Sequence, residues 1–307
     1  MHIFGFTTYG GPEAASLLEV PSPAPGPGEV LVDLRAAGVN PADIKVRSGE
    51  RQGVIEVRFP MAMGREAAGV VVAVGEGVTG FRPGDEVFGA TAGGTGGLSE
   101  QVLLDASAAA RRPRTLGWEQ AACIPVSAGT AFDALHELAL EPGQVLLVTG
   151  AGGGVGTSVI PLAVARGLRV VGVASAAKEG LVDSLGAEHV PSGDGWDERV
   201  RALAPGGVDA VFDLVGGEVL RAGARLLSGR RGPVSIAAPG LAAELGGGGV
   251  TRRRATEVFG QVAELAAAGV LDIHVSAVFP LSRAAEAVAL VESGHATGKV
   301  VVVPDGR

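Results

Sequence analysis

A glycine-rich segment in the middle of the chain has the composition of a loop that binds phosphate groups. It follows the short apolar stretch Val145–Thr149, which is typical of a buried strand. Within residues 150–156, Ala151, Gly153 and Gly156 have the spacing A-x-G-x-x-G. A helix is predicted to begin near Gly156, so its N-terminal amides and its dipole would face the loop and favour an anion there.

This order of strand, glycine loop and helix is the fingerprint of dinucleotide sites, with Ala in place of the first Gly. Gly153 would let the backbone approach a pyrophosphate, and Gly156 would let the helix pack closely on the strand. We therefore predict that five loop residues bind a dinucleotide: Ala151, Gly153, Gly154, Val155 and Gly156. The alternative is an ordinary tight turn, because the chain contains 50 Gly residues.

The next predicted strand, Arg169–Ala174, ends where dinucleotide enzymes select their cofactor. Enzymes that use NAD usually carry Asp or Glu at this point to bind the ribose 2′-hydroxyl, and no carboxylate stands here. Instead, Ser175 offers a hydroxyl and Lys178 an ammonium, which suit a 2′-phosphate. We predict NADPH rather than NADH as the cofactor. The alternative for Lys178 is a solvated charge in the first turn of a helix.

The composition excludes several other kinds of chemistry. A net charge of −8 disfavours nucleic acid as a partner, because such binding depends on Lys and Arg that neutralise phosphates. One Cys excludes a disulfide framework, and the five His are scattered without metal-ligand spacing, so we predict no metal site. We read no secretory signal and no apolar run that could span a bilayer, so we expect a soluble cytoplasmic protein without a membrane partner.

Strand and helix patterns divide the chain into parts of different character. The first third has short strand patterns between turn signals, such as residues 28–36 and 67–74, which favours a small barrel or sandwich. In the central part strands alternate with helices, which is typical of a doubly wound parallel sheet. We predict an α/β protein with a β-rich domain of residues 1–117 and 254–307 and a nucleotide-binding domain of residues 118–253.

Motifs along nearly the whole chain resemble those of one family. They occur in the family's order: VNPAD…RSG (39–49), GREAAGVV…VG (64–75), GDEV (84–87), GAGGGVG (150–156), VFDLVGG (211–217) and FPL…GHATGKVV (279–301). The chain resembles the medium-chain dehydrogenase/reductase superfamily, and within it the zinc-independent NADPH:quinone oxidoreductase branch. This resemblance implies a GroES-like catalytic domain joined to a Rossmann domain that binds NADPH.

The resemblance also implies roles for residues outside the glycine loop. Asn40 would lie near the nicotinamide ribose, and Thr130 would approach the nicotinamide carboxamide or the phosphates. Ala237 would pass beside the nicotinamide, and Lys299 would face the cofactor phosphates across the cleft between the domains. The alternatives are an Asx-turn before a proline for Asn40 and an ordinary solvated charge for Lys299.

Departures from the superfamily pattern concern the metal and the proton donor. Its zinc-dependent members use a Cys in the first motif and a His in the second, whereas residues 40–43 contain no Cys and Arg65 replaces the His. Cys123 is expected to be a small buried hydrophobe. The tyrosine that many branch members carry is Lys45 here, and the one Tyr of the chain is Tyr9. We therefore predict no metal ligand and nominate no catalytic residue.

These features predict hydride transfer from NADPH to a small electrophile, namely a quinone or an α,β-unsaturated carbonyl compound. Without zinc to polarise an oxygen, oxidation of simple alcohols is disfavoured. One alternative is an enoyl-thioester reductase that serves lipid or polyketide assembly, and another is a non-catalytic NADPH-binding protein. The resemblance further implies a homodimer joined through the last strand of the nucleotide domain, near residues 249–253.

Overall fold

The computed structural model describes residues 1–229 and 231–306, and the chain forms two compact units. The first unit comprises the described residues of Met1–Gly129, Arg254–Ala268 and Val275–Arg307. The second comprises the described residues of Thr130–Arg253 and Gly269–His274. The first unit has a six-stranded sheet and a small three-stranded sheet, the second unit has one five-stranded sheet, and each unit has its own apolar core.

The strands are, in chain order, β1 (His2–Phe6), β2 (Ala15–Glu19), β3 (Glu29–Val39), β4 (Met61–Ala62), β5 (Glu66–Val74), β6 (Glu86–Thr91), β7 (Gln101–Arg111), β8 (Val145–Thr149), β9 (Arg169–Ala174), β10 (Glu188–Pro191), β11 (Ala210–Asp213), β12 (Val234–Ser235), β13 (Val275–Pro280) and β14 (Lys299–Val303). β8 to β12 belong to the second unit and the other strands to the first.

The α-helices are, in chain order, α1 (Pro41–Arg47), α2 (Trp118–Ala122), α3 (Gly129–Leu138), α4 (Gly154–Ala165), α5 (Glu179–Ser184), α6 (Trp196–Leu203), α7 (Gly217–Ala224), α8 (Pro239–Glu244), α9 (Thr256–Ala267) and α10 (Ala284–Glu292). Single turns of 3₁₀-helix cover Pro12–Ala14, Ala176–Lys178 and Leu281–Arg283, and a π-helical turn covers Ile124–Ala128.

In the first unit, β3, β5, β6 and β7 close into a small antiparallel barrel, because β3 pairs with both β5 and β7. β14 pairs with the other end of β3, and β13 pairs with β14. Alternation along β3 builds the core: Val30, Val32 and Leu34 are buried in it, whereas Asp33 is exposed. Successive side chains of a strand point to opposite faces, so this pattern buries one face of β3 inside the barrel.

The second unit is built on a parallel sheet in the order β10-β9-β8-β11-β12. β8 and β9 are almost entirely buried and apolar, as expected for parallel strands covered on both faces. From β8 the chain moves outward to β10 and then returns to β11 on the other side of β8. Ligands of such sheets bind beyond the carboxyl ends of the strands where this order reverses.

The predicted doubly wound sheet is thus confirmed. The domain roles that we assigned to residues 1–117 with 254–307 and to residues 118–253 remain a proposal. The direction in which the chain adds strands reverses between β8 and β11, so a dinucleotide site in the second unit would lie beyond the carboxyl ends of these two strands. The glycine loop begins there, directly after β8.

Candidate functional site

The glycine loop lies at the carboxyl end of β8. Gly150 has a φ of +76° and turns the chain out of the strand, a conformation that favours glycine. α4 begins at Gly154, and no acidic side chain stands in its first turn to occupy the positive end of the helix dipole. A Cβ atom at Gly156 would lie 2.3 Å from the carbonyl oxygen of Ala151, so only glycine allows α4 to pack this closely on the loop.

The geometry of this loop is suited to binding a dinucleotide. The structure brings Ala151, Gly153, Gly154, Val155 and Gly156 into one strand-to-helix turn. The turn provides the close backbone approach and the helix N-terminus that a pyrophosphate requires. Their contacts with a cofactor remain a prediction.

Lys178 lies directly over the glycine loop. β9 ends at Ala174, Ser175 is exposed, and the 3₁₀ turn Ala176–Lys178 brings the Lys178 side chain back over the loop. A Cβ atom at Gly152 would lie only 2.4 Å from Cδ of Lys178, so the aliphatic part of the lysine fills the space above that glycine. Partial burial lowers the pKa of Lys178. The sequence indicated Ser175 and Lys178 but not this contact with Gly152.

Asp213, at the end of β11, joins the ends of three neighbouring strands. Its carboxylate accepts hydrogen bonds from Thr149 Oγ1 at 2.7 Å and from Ser235 Oγ at 2.6 Å. It also accepts one from the backbone N–H of Gly216 at 2.9 Å. Thr149 ends β8 and Ser235 ends β12, so one buried carboxylate holds together the strand ends beside the glycine loop.

The motif VFDLVGG contained Asp213, but sequence reasoning gave this residue no role. The available signal was a carboxylate at the end of an apolar strand in a parallel sheet. Such a residue is buried, and buried carboxylates need hydrogen-bond partners.

Ala237 and Thr130 lie elsewhere in the second unit. Ala237 is in the bend after β12, where a Cβ atom at Gly216 would lie 3.6 Å from its own Cβ. Thr130 is buried in the first turn of α3. The contacts of both residues with a nicotinamide remain predictions.

In the first unit, Asn40, Glu66 and Lys299 form a buried cluster. The Lys299 ammonium donates hydrogen bonds to Asn40 Oδ1 at 2.5 Å and to Glu66 Oε1 at 2.8 Å. Asn40 Nδ2 donates to the same Glu66 oxygen at 2.9 Å. Asn40 precedes α1, Glu66 begins β5 and Lys299 begins β14, so three separate elements supply the cluster. Glu66 stood in the second motif, but sequence reasoning assigned it no role.

Lys299 does not have the surroundings of a solvated charge, because it is only 3% exposed. Burial acts to lower the pKa of the ammonium, but the Glu66 carboxylate outweighs burial, and the pKa lies above its ordinary value. Lys299 is therefore charged at neutral pH. The predicted contact of Lys299 with cofactor phosphates remains untested, and its donors are directed at groups of the first unit.

Asp43 and Cys123 are buried close to this cluster. Burial raises the pKa of Asp43 to about 7, against the effect of the Asn40 N–H, which donates to Asp43 Oδ2 at 2.8 Å. Asp43 Oδ1 has no hydrogen-bond partner among the described residues. Burial also raises the pKa of the Cys123 thiol to about 12. Cys123 thus stays a protonated thiol, as expected of a small buried hydrophobe.

Residues 1–229 and 231–306 contain neither a candidate metal site nor a candidate membrane-spanning helix. No group of three or more His, Cys, Asp and Glu side chains there is arranged to hold a metal ion. None of the helices in these ranges is long and apolar enough to cross a membrane.

Comparison with known proteins identifies the family. Residues 26–125 match the family described as "Alcohol dehydrogenase GroES-like domain", and residues 185–302 match the family described as "Zinc-binding dehydrogenase". The chain is 32% identical over 317 residues to quinone oxidoreductase of Sus scrofa, with 96% of this chain and 95% of that protein covered. The chain belongs to the quinone oxidoreductase branch of the medium-chain dehydrogenase/reductase superfamily. The GroES-like and Rossmann architecture is thereby confirmed.

A second relative is a much larger protein. The chain is 34% identical over 314 residues to phthioceranic/hydroxyphthioceranic acid synthase of Mycobacterium bovis. The aligned segment covers 94% of this chain but only 14% of the synthase. The similarity therefore concerns one small segment of that protein.

A solved structure shows the same fold. The crystal structure of Escherichia coli quinone oxidoreductase complexed with NADPH matches with a TM-score of 0.87. The two sequences are 27% identical, and the match covers 99% of this chain and 100% of that one.

Proposed function

We propose that the chain uses NADPH to reduce a quinone or an α,β-unsaturated carbonyl compound, without a catalytic zinc ion. The observation that carries the choice of cofactor is the position of Lys178 over the glycine loop, together with a strand β9 that ends without a carboxylate. An ammonium beside the loop favours a 2′-phosphate and offers nothing specific to a ribose hydroxyl. The fold shared with a quinone oxidoreductase complexed with NADPH supports the same choice.

The residues assigned to the cofactor would make different contacts with it. The loop 150–156 and the N-terminus of α4 would hold the pyrophosphate, while Ser175 and Lys178 would hold the 2′-phosphate. Asn40, Thr130 and Ala237 would orient the nicotinamide end. When bound, NADPH would supply the hydride, so these residues act by binding and by alignment rather than by covalent chemistry.

The residues at the two superfamily zinc positions support a zinc-independent reaction. Residues 40–43, in the motif where the zinc-dependent members have a Cys, contain none, and Arg65 stands where those members have a His. Protein zinc is bound by Cys, His, Asp and Glu side chains, and neither an amide nor a guanidinium replaces them. The Asn40 side chain is already engaged with Glu66 and Lys299. This donor set does not fit a catalytic zinc ion, although one matching family is described by zinc binding.

An aromatic pair in the first unit supports a planar acceptor. Tyr9 and Phe59 pack edge to face with ring centroids 5.2 Å apart, and Phe59 is 46% exposed. Phe6 supports Phe59 from the buried side at 5.7 Å. Exposed aromatic faces stack on planar conjugated rings, which quinones and many enones contain. We propose that Tyr9 and Phe59 contact the acceptor.

A second candidate function is reduction of an enoyl thioester. The 34% identity to one segment of phthioceranic/hydroxyphthioceranic acid synthase of Mycobacterium bovis favours it, because reduction of an enoyl thioester would be a plausible step in making such an acid. A non-catalytic NADPH-binding protein remains the third hypothesis. Turnover distinguishes the three.

The test compares turnover of three acceptor types at equal NADPH concentration: 1,4-benzoquinone, cyclohexenone and crotonyl-CoA. The proposal expects NADPH consumption with the quinone or the enone to exceed that with crotonyl-CoA. The reverse order would establish the thioester reductase instead. NADPH binding without consumption by any acceptor would support the non-catalytic hypothesis and reject the proposal.

A further inference from the structure

We infer that Lys299 is a positioning residue that holds the Asn40 amide, and that it does not bind a cofactor phosphate. The role of Asn40 in this inference rests on the proposed NADPH-dependent function. The first evidence is that the Lys299 ammonium makes three hydrogen bonds, all to groups of the first unit. It donates to Val39 O at 3.2 Å, to Asn40 Oδ1 and to Glu66 Oε1. An ammonium has three N–H donors, so no donor is left for a phosphate.

The orientation of the Asn40 amide follows from the two charges beside it. Its Oδ1 faces the Lys299 ammonium, and its Nδ2 faces the Glu66 carboxylate and, at 3.4 Å, the carbonyl of Gly38. In the reversed amide, an NH₂ group would face the ammonium and an oxygen would face the carboxylate. Both contacts would be repulsive in a site screened from water. The ion pair therefore selects one of the two amide orientations.

The backbone around Glu66 is built to accommodate this ion pair. Glu66 is fully buried, and its other oxygen, Oε2, accepts the N–H of Val126 at 2.7 Å. A Cβ atom at Gly38 would lie 2.2 Å from Glu66 Oε1, so a glycine at that position of β3 makes room for the carboxylate. Glu66 is thus held from two sides, and it fixes Lys299 and Asn40 in turn.

Loss of Lys299 should therefore affect the nicotinamide end of the cofactor and leave the phosphate end intact. Without the ammonium, the Asn40 amide loses the partner of its oxygen, and the Glu66 carboxylate is left as an uncompensated buried charge. A misplaced contact at the reacting end of a ligand lowers the turnover rate by up to about 100-fold. Binding of the adenosine phosphates should not change.

The first experiment separates these two ends with adenosine 2′,5′-bisphosphate, which carries the 2′-phosphate but no nicotinamide. For Lys299→Met we expect an unchanged dissociation constant for this ligand and a turnover number, at saturating NADPH, reduced by about 10- to 100-fold. Lys178→Met is the matched control, and it should weaken the bisphosphate instead. The inference is overturned if Lys299→Met weakens the bisphosphate as much as Lys178→Met does.

The second experiment tests whether Lys299 acts through Glu66 and Asn40. Glu66→Gln removes the buried negative charge, so the double variant E66Q/K299M should unfold at a higher urea concentration than K299M. If K299M does not fold, the dissociation constant of adenosine 2′,5′-bisphosphate is measured on the double variant E66Q/K299M instead. In an Asn40→Ala background, K299M should lower turnover no further. An additive loss in that background, or no rescue by E66Q, contradicts the inference.

The outcomes also separate this inference from the proposed function. If the wild-type chain does not bind the bisphosphate or NADPH, the proposed cofactor is wrong. The urea measurements on K299M and E66Q/K299M still decide whether Lys299 is the counter-ion of Glu66, because they need no cofactor.

Discussion

Asp43 makes the stability of the protein depend on pH. Its pKa is about 7 in the folded chain and 3.8 in its ordinary state, so the folded protein holds a proton that the unfolded chain releases between these values. Stability falls with rising pH wherever the folded state binds more protons. The free energy of unfolding should therefore decrease as the pH rises from about 4 to about 7, and level off above that.

Urea unfolding at a series of pH values checks this prediction. Asp43→Asn removes the titrating group, so its unfolding free energy should lack the decrease. Asp33→Asn, which changes an exposed carboxylate on β3, serves as the control and should keep it. An equal decrease in D43N and the wild type would show that another group is responsible.

Ser175 and Lys178 should determine the choice between NADPH and NADH. A hydrogen bond to a charged group contributes about 1.5–3 kcal/mol, so Lys178→Ala should lower kcat/KM for NADPH by about 10- to 100-fold. Ser175→Asp places a carboxylate where NAD enzymes bind the ribose hydroxyl, and it should reverse the preference toward NADH. Steady-state kinetics with both cofactors check this. An unchanged NADPH:NADH ratio in both variants would contradict the assignment.

Residue roles were predictable where they depend on local spacing. The loop glycines and the absence of a carboxylate after β9 are visible within 30 residues of each other. The partnership of Glu66 and Lys299 joins positions 233 residues apart, and no local pattern reveals it. The contact of Lys299 with cofactor phosphates stays a prediction of the sequence, and its three hydrogen bonds to Val39, Asn40 and Glu66 are equally invisible to any local pattern.

At the scale of elements, Asp213 should link the stability of the sheet to cofactor binding. Asp213→Asn places an NH₂ group against donors that now share the carboxylate, and unsatisfied buried groups cost about 1–3 kcal/mol each. We expect a lower free energy of unfolding and a higher KM for NADPH, because the strand ends beside the glycine loop lose their common anchor.

Thr149→Val is the matched control for D213N. It removes one hydrogen bond to the carboxylate and keeps the side-chain volume, so its effect on both quantities should be smaller. Urea unfolding and steady-state kinetics measure them. An effect of T149V equal to that of D213N would mean that the carboxylate does not act as a shared anchor.

Strands and helices of the second unit were predictable because buried parallel strands are continuous apolar runs. The predicted bounds of β8 and β9 agree with the structure. Elements that lack such a signal were not predicted, among them β1, β10 and the seven-residue α1. α1 begins with Pro41 after Asn40, and this pair of residues is equally common in turns. The local sequence therefore does not distinguish a helix from a turn, and packing in the folded unit stabilises the helix.

At the scale of the whole molecule, we expect a homodimer. β12 lies at one edge of the parallel sheet of the second unit, and a bridge between Val234 and Gly248 continues that edge toward residues 249–253. Edge strands carry backbone groups that can pair with another chain. Size-exclusion chromatography with light scattering should give twice the monomer mass. A monomer mass over a wide concentration range would contradict this expectation.

NADPH consumption measured with a panel of quinones and enones tests the proposed activity most directly, with the wild-type chain beside Gly156→Val. A side chain at position 156 would collide with the Ala151 carbonyl, so this variant should lose NADPH binding and turnover together. We predict that the wild type consumes NADPH faster than NADH with at least one quinone or enone, and that G156V does not. NADPH bound by the wild type with no turnover of any acceptor would contradict the proposed activity.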